Sequence, residues 1–257
     1  MNVRKALLAS LAAGALSGAA LFAVSAPAGA ATQSYQANLA SINGSGASGT
    51  LMLTLNGNQA TITEQATGLA STFSNAPYPH VQHIHINGAG VCPTTAADTN
   101  HDGVISTTEG APSYGPIGTT LSISGPTTPA AGTTLNIAPS GASIDYSRTI
   151  TLDAATVSAI QANKAVIVVH GLDPSKLGAT AQGEKSDLVP SLPLAATSPA
   201  MCGVLAVSQT AAASGGVATG AGGTSGLEDT GLFVLGGILL AGAAIGFGTR
   251  RFATSRS

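Results

Sequence analysis

Short runs of alternating or β-branched residues, each stopped by Gly, Pro or Asn, are what most constrain this chain. They occupy 35–42, 49–55, 59–65, 80–86, 119–124, 144–152, 165–170 and 203–207. Runs of this length and period read as strands, and Asn56-Gly57-Asn58 between two of them is a hairpin signal. Ala165 to His170 reads AVIVVH, a strand apolar on both faces. Only 153–163 reads as helical, with Asp153 placed to cap its first turn. Strands at this spacing, with longer loops late in the chain, predict an all-β Greek-key sandwich or barrel with one short helix.

The two ends carry addresses rather than fold. Residues 1–30 read as a signal peptide: Arg4 and Lys5 precede an apolar stretch over 6–24, and Ala28-Gly29-Ala30 is a small-x-small cleavage site. Cleavage after Ala30 would start the mature chain at Ala31. Residues 211–226 read as a linker, of which 215–226 is uncharged Gly, Ala, Ser and Thr, a composition that forms no core. Residues 227–257 then give Leu227-Glu228-Asp229-Thr230-Gly231, an apolar or small stretch over 232–248, and Arg250 and Arg251. This ending resembles the sorting signal that sortases cut, here between Thr230 and Gly231, with Glu228 where that signal has Pro or Ala. The alternative is a retained transmembrane anchor: about 17 apolar residues is the lower limit for a core of ~30 Å. Both readings place the chain outside the cytoplasm, at the membrane or the cell wall, with the envelope (membrane or peptidoglycan) as its partner and the basic tail inward.

What remains, 31–210, is one domain by size. It holds four basic residues (Arg148, Lys164, Lys176, Lys185) against nine acidic ones, a net charge of −5. That balance argues against nucleic acid or anionic lipid as a partner. Cys92 and Cys202 are the two cysteines of the chain. In an oxidising compartment they are expected to pair; two free buried thiols are the alternative.

Residues 98–109 fit a twelve-residue EF-hand loop. Asp98, Asn100, Asp102, Ser106 and Glu109 stand at the oxygen-ligand positions, Gly103 at the sharp turn, Val104 at the carbonyl ligand and Ile105 at the apolar anchor. Three of the nine acids crowd into this loop, which like-charge repulsion disfavours without a cation. Cys92-Pro93 before it and Gly110-Ala111-Pro112 after it leave no room for the long helix pair of a sensor. Calcium is therefore expected in a structural role. The alternative is a solvated polar loop.

The histidines are His80, His83, His85, His101 and His170. His83 and His85 share one face of a strand, a common way to offer two imidazoles to one metal, and His80 faces the other way. HVQHIH, then VVHGLDP at 168–174, then Met201-Cys202-Gly203-Val204-Leu205 resemble the layout of the Cu/Zn superoxide dismutase family. The same order is similar to the chordin-type CHRD domain, and the likeness covers about 49–207. The resemblance implies an antiparallel Greek-key barrel, a Cys92–Cys202 disulfide, copper on His83, His85 and His170, and His80 bracing the site from behind. The stretch after Cys92 that holds zinc ligands in the dismutases carries the calcium loop here, with His101 as a further candidate ligand. Pro199 stands where those enzymes carry their anion-steering Arg.

The expected function is a surface-displayed, calcium-binding CHRD-like domain with a binding or structural role. The alternatives are a copper-only dismutase-like enzyme, or an extracytoplasmic copper- or zinc-binding protein using the three histidines. Whether the chain is an enzyme stays open at this point.

Overall fold

The segment QATITEQAT puts Ala60, Ile62, Glu64 and Ala66 on one side of a strand, and that side is buried while the other is exposed. The same alternation, repeated along the chain, builds the sheet. The computed structural model describes residues 32–208. The leader with Ala30, the linker 211–226 and the tail with Thr230 lie outside the described residues. Among the described residues no helix is long and apolar enough to cross a membrane.

In chain order the elements begin with β1 (Gln33–Ser41), β2 (Ser48–Asn56), β3 (Gln59–Thr67), β4 (Thr72–Phe73), β5 (Ala76–Pro77) and β6 (Gln82–His85). Next come α1 (Thr107–Tyr114), β7 (Ile117–Thr120), β8 (Ser143–Thr151), α2 (Ala154–Gln161) and β9 (Val166–His170). The last are α3 (Ala179–Gly183), α4 (Leu194–Thr197), β10 (Pro199–Val204) and β11 (Ala206–Val207). The main sheet runs β7-β6-β9-β10-β1-β2-β3-β8, with β11 on β1 and β4-β5 as a separate small hairpin. Its pairs are antiparallel throughout, and the sheet curls into a half-barrel around an apolar core. The β2–β3 turn is the expected tight one, with Asn56 opposite Gln59 and Gly57 at φ +60. The edge strands are tied by a side chain. Arg148 on β8 donates to the carbonyl oxygens of Ser122 and Gly125, at 2.8 and 2.7 Å, in the segment after β7.

The strand at the centre of the site, β9, is buried along its whole length because both faces are covered. Ile167 and Val169 face the main core, while Val166 and Val168 face a smaller cluster with Ile105, Tyr114 and Cys202. That second layer is formed by the long excursion between β6 and β7. Its staple is the disulfide Cys92–Cys202.

Most strands lie within a few residues of the sequence reading, and Asp153 caps α2 by accepting from Thr156 N. Two differences have physical causes. The strand expected over 119–124 ends at Thr120, where Ser122 Oγ turns to donate to Pro126 O and Gly125 takes φ +68. The helix at 153–163 is not alone: α1, α3 and α4 are also helical. Gly110 and Pro112 read as breakers after the acidic loop, yet both lie within α1. A reciprocal capping box outweighs them: Ser106 Oγ accepts from Glu109 N, and Glu109 Oε2 accepts from Ser106 N.

Candidate metal centre

The β6–β9 register sets His83 opposite Val168 and His85 opposite Val166. Because side chains alternate along a strand, His83, His85, Val166, Val168 and His170 all project from the sheet face opposite the main core. All three imidazoles are buried, and their ring centroids lie 5.2 to 6.0 Å apart. One ring nitrogen from each lies within 4.8 Å of the others, which makes a group able to hold a metal ion. Three nitrogens each ~2 Å from one ion lie ~3.3–3.5 Å apart, so binding draws the rings together by at most about 1.5 Å.

The hydrogen bonds select which nitrogens are available. His83 Nε2 donates to Gly132 O at 3.0 Å, His85 Nδ1 to Gly115 O at 2.7 Å, and His170 Nδ1 to Thr197 O at 2.6 Å. A carbonyl only accepts, so each of these nitrogens carries the proton and its partner nitrogen keeps a lone pair. Those partners, His83 Nδ1, His85 Nε2 and His170 Nε2, are buried and have no hydrogen-bond partner. Buried polar atoms without partners are rare and call for an explanation. Imidazoles oriented by a carbonyl at one nitrogen and free at the other are how metal-binding histidines are held.

Two of the three carbonyls belong to glycines for steric reasons. Gly115 has φ +86, and a Cβ there would run into Ile86 O. At Gly132 a Cβ would sit 3.3 Å from His83 Nε2 and closer still to Ile117 Cδ1. Burial keeps the imidazoles neutral, the state that binds metal. His85 is pushed down to about 3 by burial and then by the His170 charge. His170 is pushed down to about 4 by burial, against the Thr197 bond and the Asp187 charge. His83 falls well below its usual range, through burial first and then the other two rings.

His80 meets this set through the backbone of His170. Its Nδ1 lies 2.9 Å from His170 O and its Nε2 2.9 Å from Ala70 O. His101 is exposed on the acidic loop and lies outside the three-histidine group. Over the three rings opens a cavity of about 280 Å³ whose walls include Val81, Ala111, Tyr114, Ile117 and Leu188. Tyr114 meets His85 edge-on, with ring centroids 4.6 Å apart.

No protein-family model and no curated protein matches this chain.

The acidic loop adjoins the same layer. Asp98 Oδ2 accepts from Gly103 N at 3.0 Å, while Asp98 Oδ1 is buried without a partner. Asp102 accepts from Asn100 Nδ2 and Val104 N, and Asn100 Oδ1 accepts from Asp102 N. Glu109 reaches back across the loop: Oε1 accepts from Thr99 N and Oγ1 and from Asn100 N. Burial would raise its carboxyl, but these bonds and the one from Ser106 N outweigh that and lower it. Glu184, 82 residues along the chain from Asp102, joins the group. Its carboxyl is raised, first by a hydrogen bond with Asp102 and also by the charges of Asp102, Glu109 and Asp98.

Sequence reasoning missed Glu184, Tyr114 and the three orienting carbonyls, because each lies far along the chain from what it touches. It also missed Glu64, which is fully buried with both carboxyl oxygens unpartnered. A signal for Glu64 was present: it shares the inward phase of Ala60, Ile62 and Ala66.

Proposed function

We propose that this chain is an envelope-displayed β domain that holds one copper or zinc ion on His83 Nδ1, His85 Nε2 and His170 Nε2. The observation that carries this reading is the trio of buried, unpartnered nitrogens, each opposed across its ring by a bonded carbonyl. Three neutral imidazoles suit copper or zinc and are poor hosts for magnesium or calcium. Three ligands leave a fourth position open. The domain is proposed to be CHRD-like, with the Greek-key layout of the Cu/Zn superoxide dismutases and His80 in the bracing role. Calcium in loop 98–109, on Asp98, Asn100, Asp102, Val104, Ser106 and Glu109, braces the layer that covers the centre. The disulfide fits an oxidising compartment, in line with a leader over 1–30 and retention at the membrane or wall through 227–257.

The reading is metal-holding rather than dismutating. Among the described residues, no Lys or Arg lines the cavity over the histidines, and the domain carries a net charge of −5. Electrostatic steering alters association rates by about 10–10³-fold, and here it works against a superoxide anion. A copper-only dismutase is the second reading, favoured by the all-histidine ligand set and the open position.

The test uses full-length protein taken from its native envelope. About one copper or zinc per chain is expected, with superoxide turnover far below the ~10⁹ M⁻¹s⁻¹ diffusion ceiling. Copper-dependent turnover near that ceiling establishes the second reading. Metal content below a tenth per chain, not restored by added copper or zinc, overturns both.

A further inference from the structure

The cavity above the three histidines does not have the lining of an anion site. Apart from the imidazoles, its walls are apolar side chains, backbone, threonines and the Tyr114 ring, with no Asp, Glu, Lys or Arg among the described residues that line it. Two of those threonines are already engaged: Thr107 Oγ1 donates to Thr197 O at 2.6 Å, and Thr197 Oγ1 pairs with Ser186 Oγ at 2.7 Å. Tyr114 likewise turns its hydroxyl away, donating to Thr107 O at 2.9 Å, and leaves its ring to the cavity. A negative charge stands close by. Asp187 accepts from Thr108 N at 2.7 Å, and its field acts on both Tyr114 and His170.

A second cavity of about 290 Å³ adjoins the first, sharing Val81, Thr133 and Thr197. Its other walls include Leu135, Val189, Leu192 and Ala196. Leu188 on the first cavity and Leu135 on the second are among the large apolar side chains that stay exposed, 51% and 44%. Exposed apolar residues at the rim of a concave apolar site fit a ligand-binding mouth. The volume exceeds what a lone metal-bound water needs by about tenfold, since a water occupies ~30 Å³.

We propose that this two-part cavity binds a small uncharged, mainly apolar organic molecule that presents one donor atom to the metal's open position and lays its body along Val81, Ile117 and Leu188. The inference rests on the metal centre described above. An anion entering here loses its hydration among apolar walls, finds no cation other than the metal, and meets the field of Asp187. A neutral molecule loses little on entry and gains from each apolar ångström it buries. The apolar walls therefore select the ligand, while the metal orients it.

The experiment uses full-length protein loaded with Cu(II), with copper binding first established by titration and by its electron paramagnetic resonance spectrum. Three probes are then compared: 4-phenylimidazole, imidazole and azide. 4-Phenylimidazole is expected to bind about tenfold or more tighter than imidazole, because its phenyl ring buries apolar area in the cavity. It is also expected to change the copper hyperfine pattern. Ala111→Leu, which narrows the cavity from α1, should reduce that preference to less than about twofold on the same scale. Leu188→Asp, an exposed site at the mouth, should weaken 4-phenylimidazole while leaving the copper spectrum unchanged, and covers the case in which Ala111→Leu fails to fold. If copper binds but 4-phenylimidazole binds no tighter than imidazole, or azide binds more tightly than either, the cavity proposal is overturned and the metal reading stands. If neither copper nor zinc binds at all, both fall.

Discussion

His170 and Thr107 share one acceptor: His170 Nδ1 and Thr107 Oγ1 both donate to the carbonyl oxygen of Thr197, each at 2.6 Å. Thr107 is the first residue of α1, whose N-cap Ser106 belongs to the acidic loop, and the helix ends at Tyr114 beside Gly115, the partner of His85. The helix therefore joins the loop to two of the three imidazoles. Thr107→Val keeps the shape and removes one donor. It should cost about 1 kcal/mol of stability and weaken copper binding severalfold, read by thermal melts and metal titration. Unchanged copper affinity would show that Thr197 holds His170 without help.

Calcium is expected to act through the same helix. Glu109 carries both the capping box and, in the proposed reading, the last calcium ligand. Calcium at a hundred times its dissociation constant adds about 2.7 kcal/mol, so chelation should lower the melting temperature. Glu109→Gln should abolish most of that response. A melt indifferent to chelator would remove calcium from the account.

The disulfide should protect both stability and site. It closes a separation of 110 residues and, by the chain-entropy argument, contributes on the order of 4–5 kcal/mol. Cys202 lies opposite Val168, and Val168 opposite His83, so the staple grips the covering layer from the strand next to β9. Reduction, or Cys92→Ala with Cys202→Ala, should lower the melting temperature and weaken metal binding together. Measured separately, loss of stability with metal affinity intact would confine the disulfide to the fold.

How far the sequence reached is clear from β6 and β3. The His-x-His spacing announced that His83 and His85 share a face, since strand alternation is a local rule. It was silent on which nitrogens stay free, because Gly115, Gly132 and Thr197 come from 30, 49 and 27 residues away. The half-barrel and the covering helix were similarly uneven. Strand alternation was legible, whereas α1 depends on a capping box strong enough to carry Gly110 and Pro112. Glu64 was hidden by its type: a carboxyl at an inward position reads as an error of phase until the register shows Tyr146 opposite it.

Above about pH 6.5, where unfolded histidines are themselves neutral, Glu64 gives the pH dependence its sign. Burial pushes its carboxyl up to about 8 from the ordinary 4.5, and the Tyr146 hydroxyl across from it also lacks a partner. The folded state keeps the proton where the unfolded state has lost it. Stability from this group is thus fully present below about pH 4.5 and is lost as pH rises through about 8. At ~1.4 kcal/mol per pH unit, the loss across that window is on the order of 5 kcal/mol. Glu64→Gln should remove this contribution, and Glu64→Leu should raise stability at neutral pH. Below about pH 6.5 the buried neutral histidines, lowered from 6.5, act in the opposite sense and stability rises with pH. A wild-type profile that does not fall between about pH 7 and 8 would contradict the buried neutral acid.

The central claim is that three histidines hold one ion, and titrating full-length protein with Cu(II) while reading X-ray absorption tests it most directly. The account predicts one equivalent bound, with three imidazole nitrogens at ~2.0 Å. His85→Ala or His170→Ala should lower the affinity by at least about a hundredfold, roughly 2.7 kcal/mol. Binding that survives either substitution unchanged, or a first shell without imidazole, would contradict it.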